Sequence, residues 1–211
     1  VSTSGKFIVV EGMEGCGKTT NMQFIQTYLA TYQIPLVVTR EPGGTPLAEE
    51  IRALLLANRD ESVSEEAELL LMFAARAQHL AQKIKPALNN RQWVLCDRFT
   101  DATYAYQGGG RQLSQHTIAT LETLVQKELR PDLIIILDVP IEKGLERAAQ
   151  RGNLDRFEQE KKDFFERVRD VYLKRAKEHP NCYKIVDASL AIEEVQKNIQ
   201  QILTQFMQSI L

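Results

Sequence analysis

Gly12, Gly17, Lys18 and Thr19 occupy the fixed positions of the pattern G-x-x-x-x-G-K-[ST]. The chemistry of that pattern is the cradling of a nucleoside triphosphate. Over residues 12–19, Gly12, Met13, Glu14, Gly15, Cys16 and Gly17 give a backbone that can turn its N–H groups onto phosphate oxygens. Lys18 adds a point charge, and the Thr19 hydroxyl suits a Mg²⁺ shell. Cys16 lies among these anion-stabilising donors, so raised thiolate reactivity is expected there.

Phosphoryl transfer also needs an acidic metal partner, cations for the moving group and a pocket for the acceptor. Asp97 and Asp138 each end an apolar run, and either can accompany Thr19 at a metal. The pattern leans to Asp138, whose run is the more hydrophobic, although both also read as turn residues or helix caps. Arg98 follows Asp97 directly and Arg40 ends another strand-like run, so bidentate phosphate recognition is expected at both. Phe73 and Arg76 are three apart on a helical pattern and share a face. Spacing alone favours core packing for Phe73 and leaves stacking on a base as the alternative. Residues 150–158 break helical sequence with Gly, Asn and mixed charge, and read either as a solvated loop or as a mobile lid. Residues 107–111 are glycine-rich but lack a Lys-Ser/Thr ending, which predicts a flexible turn.

Positioning these groups requires a particular order of elements. Phe7-Ile8-Val9-Val10, Leu36-Val37-Val38-Thr39, Trp93-Val94-Leu95-Cys96-Asp97, Leu133-Ile134-Ile135-Ile136-Leu137-Asp138 and Tyr183-Lys184-Ile185-Val186-Asp187 read as strands. Helical patterns lie between them at 21–32, 47–56, 64–89, 114–129 and 164–178, with a last one from 192 onward. Continuous apolar strands imply burial on both faces, hence a doubly wound parallel α/β sheet. In such a sheet the loops after Val10, Thr39, Cys96 and Leu137 open on one crevice.

The chain has 211 residues, 44% of them hydrophobic, and shows no repeat or linker, which predicts a single domain over 1–211. A formal net charge of −2 argues against a global grip on nucleic acid or an anionic membrane. No apolar stretch reaches membrane-spanning length, and residues 1–6 lack the apolar core of a secretion signal, so a cytoplasmic location is expected. Cys16, Cys96 and Cys182 are widely spaced and read as reduced thiols.

Arg40-Glu41-Pro42-Gly43-Gly44-Thr45, Phe73-Ala74-Ala75-Arg76, Asp97-Arg98-Phe99 and Ala105-Tyr106-Gln107-Gly108-Gly109-Gly110, in this order and with the Arg151 segment, resemble the bacterial thymidylate kinases. The resemblance runs from about Phe7 to Asp187. It implies the P-loop NTPase fold with a five-stranded parallel sheet and a lid at approximately 147–158, and transfer of the ATP γ-phosphoryl group to dTMP with Mg²⁺. It implies that Asp97, rather than Asp138, lies near the metal with Thr19, that Arg98 and Arg40 hold the acceptor phosphate, and that Phe73 stacks on thymine. Arg76, Thr103 and Gln107 would surround the base, Glu14 would bind the 3′-hydroxyl, and Tyr106 would exclude a 2′-hydroxyl. Cys16 stands where other members carry Ala or Ser, or a catalytic arginine, so the resemblance is to the type with its arginine in the lid. Catalysis would then rest on Lys18, Arg98 and Arg151, with Arg147 near ATP. Phe99 stands where Tyr or His is frequent. Homodimers are a further implication. Kinases for other nucleoside monophosphates, or a nucleotide-dependent switch, are the alternatives that slow or unselective turnover would favour.

Overall fold

The computed structural model describes residues 5–150 and 155–210. Five strands form one parallel sheet: β1 (Phe7–Glu11), β2 (Leu36–Arg40), β3 (Trp93–Asp97), β4 (Leu133–Asp138) and β5 (Tyr183–Asp187), in the order β2-β3-β1-β4-β5. Burial follows this order. The central strand β1 is buried along its whole length and β4 up to its last residue, whereas the edge strands β2 and β5 are mixed. Helices on both faces make that burial possible. They are α1 (Lys18–Ala30), α2 (Pro46–Leu56), α3 (Glu65–His79), α4 (Lys85–Asn89), α5 (Thr100–Thr103), α6 (Gln115–Gln126), α7 (Ile141–Ala149), α8 (Lys162–Glu178) and α9 (Ile192–Ile210).

All five expected strands are present. The helix expected over 64–89 runs through a π turn at Leu80–Ile84 into α4. Pro86, just inside α4, brings no backbone N–H, and the wider turn lies where that donor is missing. The flexible turn expected at 107–111 is instead part of a π-helical segment, Tyr104–Gly110. A Cβ on Gly109 would lie 2.8 Å from the Arg167 carbonyl oxygen, and one on Gly110 would enter the Phe164 ring. The glycines here permit close approach of α8 rather than flexibility.

Chain order places β2 and β3 on one side of β1 and β4 and β5 on the other. The carboxyl ends of β1, β3 and β4 therefore open together at the switch in strand order. Among the described residues no helix is long and apolar enough to cross a membrane.

Candidate active site

Between β1 and α1 the backbone turns through φ angles of 141° at Gly12, 71° at Gly15 and 87° at Gly17. Residues with a Cβ rarely adopt these. A Cβ on Gly12 would sit 2.6 Å from the Leu137 carbonyl oxygen, and one on Gly15 would enter the backbone of Gly144 in α7. Lys18 Nζ donates to the carbonyl oxygens of Gly12 (2.9 Å) and Met13 (3.1 Å), which holds its charge over the loop. The free N–H groups of the first turn of α1 add positive potential at the same place.

Glu14, Gly15, Cys16, Gly17, Lys18 and Thr19 line a cavity of about 670 Å³. Met13 is buried in the core beneath it, so Met13 serves the shape of the loop rather than its surface. On the far wall Arg147 Nη1 donates to the Ala188 carbonyl oxygen at 3.1 Å, joining α7 to the turn after β5. The reactive thiolate expected at Cys16 does not fit its surroundings. The side chain is 2% exposed, and burial pushes the thiol up despite the opposing pull of Lys18 and Arg98.

Asp97, Thr19 and Lys18 line the same cavity. Asp97 Oδ1 is buried with no hydrogen-bond partner, an orphaned acceptor of the kind a cation or its water would satisfy. Asp138, the residue the strand pattern leaned to, is committed elsewhere. Arg169 grips it with two hydrogen bonds of 2.6 and 2.8 Å. No group of three or more His, Cys, Asp or Glu side chains able to hold a metal occurs among the described residues. A cation at Thr19 and Asp97 would therefore take its other ligands from phosphate and water, as Mg²⁺ does.

A second pocket adjoins the first and shares Glu14, Glu41, Arg52, Arg98 and Asp155 with it. Arg98 has a φ of 66°. That left-handed backbone is held by Glu11, whose Oε1 accepts from the N–H groups of Phe99 (2.7 Å) and Ala102 (3.3 Å). Burial, reinforced by the charge of Asp101, pushes the Glu11 carboxyl up to about 8. Arg98 Nη2 then reaches Glu14 (2.7 Å) and the Tyr106 hydroxyl (3.0 Å), while Tyr106 donates to Glu14 at 2.6 Å. Burial alone would raise the Glu14 carboxyl, but Arg98, Lys18 and Tyr106 together outweigh it and hold it below its ordinary value. Arg98 Nε remains buried and unpartnered beside the cavity.

Deeper in the second pocket Arg76 donates through Nε to Glu41 (2.7 Å) and through Nη2 to Thr103 (2.9 Å) and the Phe99 carbonyl (3.1 Å). Gln107 also lines this pocket and donates to the buried Glu68 at 2.8 Å. Phe73 does not line it. Its ring lies under the Arg76 guanidinium at 4.8 Å and packs with Leu69, Tyr104 and Ile118. The assignment of Phe73 to base stacking is corrected on this point. One residue is about 100° of helix, and it is Met72 whose position meets the pocket.

Arg40 lines the large cavity but is half exposed and paired with Glu49 at 2.8 Å. Arg52, which no sequence pattern singled out, lines both cavities and uses Nη1 on the Pro42 carbonyl oxygen. Its only signal was its place on α2, seven residues after Thr45, the helix cap. Arg156 turns away from the triphosphate side, to Glu68 at 2.7 Å and the Leu55 carbonyl oxygen at 3.0 Å. Arg151 lies outside the described residues.

A glycine loop between β1 and a parallel-sheet helix, a free acidic oxygen at the end of β3 and an arginine-rimmed second pocket define a P-loop phosphotransferase of the nucleoside monophosphate kinase class. The profile of the thymidylate kinase family matches residues 10–199. The chain is 57% identical over 205 residues to the thymidylate kinase of Pseudomonas savastanoi pv. phaseolicola, covering 97% of this chain and 98% of that one. With the thymidylate kinase of Pseudomonas putida strain GB-1 it shares 59% over 200 residues, 95% of each chain. The crystal structure of thymidylate kinase from Ehrlichia chaffeensis superposes with a TM-score of 0.77 at 32% identity, covering 95% of this chain and 98% of that one. The chain belongs to the thymidylate kinase family.

Proposed function

We propose that this chain transfers the γ-phosphoryl group of ATP to dTMP, giving dTDP and ADP for dTTP and DNA precursor synthesis. The observation that carries the reading is the common wall of the two cavities, where Glu14, Arg52 and Arg98 stand between a phosphate loop and a base-sized pocket. A phosphate oxygen of dTMP attacks the γ-phosphorus while the bond to the ADP oxygen breaks. No enzyme group is phosphorylated on the way.

The phosphate loop and Lys18 hold the donor phosphates, with Arg147 on the adenosine side. Thr19 and Asp97 would hold Mg²⁺, which would supply positive charge against the phosphates of the donor. Arg98, Arg52 and Arg40 hold the acceptor phosphate, Glu14 receives the 3′-hydroxyl, and Tyr106 fills the space of a 2′-hydroxyl. Arg76, Thr103 and Gln107 face the thymine edge beside Met72. Arg151 is assigned the transition-state charge, delivered when the lid at 147–158 closes.

The whole chain acts as one kinase domain, located in the cytoplasm, in a homodimer. Four exposed leucines support the dimer: Leu47 and Leu54 on α2, Leu70 on α3 and Leu124 on α6, helices that pack on one another in turn. A panel of nucleoside monophosphates incubated with ATP and Mg²⁺ tests the reading. ADP release should be fastest with dTMP, because unmatched polar groups discriminate strongly against dCMP and steric exclusion acts against UMP. Equal kcat/KM for dTMP and UMP would remove the role given to Tyr106.

A further inference from the structure

Arg76 has one terminal nitrogen left over. Its Nε and Nη2 are occupied by Glu41, Thr103 and the Phe99 carbonyl, whereas Nη1 is buried without a partner in a residue that lines the second pocket. The direction of its two N–H groups follows the guanidinium plane, which is set by whatever fixes Glu41. Glu41 is itself 4% exposed, and its second oxygen lies 3.0 Å from Nδ1 of His79, which is fully buried at the end of α3. On the far side of the ring, His79 Nε2 is 2.7 Å from the Thr39 hydroxyl at the end of β2. Facing a carboxylate, Nδ1 carries the proton, so the ring donates to Glu41. Gly44 closes over this chain of bonds: its φ is 87°, and a Cβ there would lie 2.5 Å from both His79 Nε2 and Thr39 Oγ1.

We propose that His79 and Glu41 form a positioning dyad that aims the free Nη1 amino group of Arg76 and thereby sets which base the pocket accepts. The inference rests on the reading of the second pocket as the dTMP site. An Nη1 amino group fixed in direction rewards an acceptor at a set place on the base edge. Thymine offers a carbonyl at position 4, where cytosine carries an amino group that would meet the guanidinium donor to donor. A loosely held Arg76 could swing aside from that clash. Neither His79 nor Glu41 needs to touch the base.

Glu41→Gln leaves the buried guanidinium without its counter-charge and threatens folding, so the test turns on His79. An Asn side chain places its amide N–H near the position of Nδ1 and keeps the donor to Glu41. A Gln side chain reaches instead to the position of Nε2 and loses that donor. His79→Gln should lower the dTMP to dCMP ratio of kcat/KM by about tenfold, through a raised KM for dTMP and with the KM for ATP unchanged. His79→Asn should keep the wild-type ratio. A purely structural role would affect both variants alike, so equal losses, or no loss in His79→Gln, would overturn the dyad.

Arg76→Lys separates this inference from the reading beneath it. An unchanged ratio in Arg76→Lys would overturn both, whereas a collapsed ratio there beside an unaffected His79→Gln overturns the dyad alone. Should the His79 variants not fold, proton exchange in the wild-type enzyme decides. Slow exchange of the His79 Nδ1 and Arg76 Nε protons in the dTMP-free state is expected, and fast exchange of either contradicts a preset guanidinium.

Discussion

Arg40, Arg52 and Arg98 all line the donor cavity, and their surroundings give them different work. Arg40 is half exposed and shared with Glu49, whereas Arg52 is pressed between both cavities, with burial and the charges of Arg40 and Arg98 lowering its hold on its proton. Removing either should raise the KM for dTMP more than that for ATP, and Arg52→Ala should do so more strongly than Arg40→Ala. Arg151→Ala should instead lower kcat by about a hundredfold or more with little change in either KM, as expected for a charge used in the transition state. Steady-state kinetics with each substrate varied in turn distinguishes the two patterns. Loss of dTMP affinity with preserved kcat in Arg151→Ala would contradict the lid-arginine assignment. At this scale the sequence was legible where a motif fixes backbone geometry. The phosphate loop and Asp97-Arg98 could be read because glycines and strand ends determine where neighbouring groups point. Phe73 and Arg52 could not. Which face of α3 meets the pocket depends on how α3 packs against α6, and a lone arginine within a helix carries no signal until the helix is placed.

The elements behind these residues show why the loop after β3 takes its shape. Glu11 ends the most buried strand, accepts from Phe99 and Ala102, and receives the Tyr172 hydroxyl of α8 at 2.8 Å. Unfolded, it ionises near its ordinary 4.5, whereas in the fold its pKa is raised to about 8. Between those values the unfolded chain has released a proton that the folded chain keeps. This contribution to stability is therefore fully present below 4.5 and is lost as pH rises through 8. Glu11→Gln cannot ionise, so its Tm should rise relative to the wild type between about pH 5 and pH 8. A Tm difference that stays constant across this range would show that Glu11 ionises in the fold as readily as in the unfolded chain. Strands were the most legible elements, because burial on both faces leaves continuous apolar runs such as Leu133-Ile134-Ile135-Ile136-Leu137. The Tyr104–Gly110 segment was the least. Its glycines suggest a turn locally, and only the approach of Phe164 and Arg167 from α8 explains them as helix.

For the molecule as a whole, the sheet order brings donor and acceptor to one switch point, and the rest of the chain holds the two cavities side by side. The exposed leucines of α2, α3 and α6 lie away from the buried core, which already uses Leu69, Phe73 and Leu80 of the long helical stretch. If they form the proposed dimer interface, Leu70→Glu should give a monomer in sedimentation where the wild type gives a dimer, with its fold retained, and equal oligomeric states in the two would remove α3 from the interface. In the proposed reaction the phosphoryl group passes in one step across the wall shared by the cavities. The stereochemistry at phosphorus tests this most directly. ATP made chiral at the γ-phosphorus with oxygen isotopes and sulfur should give dTDP with its β-phosphorus inverted, as a single displacement requires. Retention would mean two displacements through a phosphorylated enzyme group, and would contradict direct transfer between the two cavities.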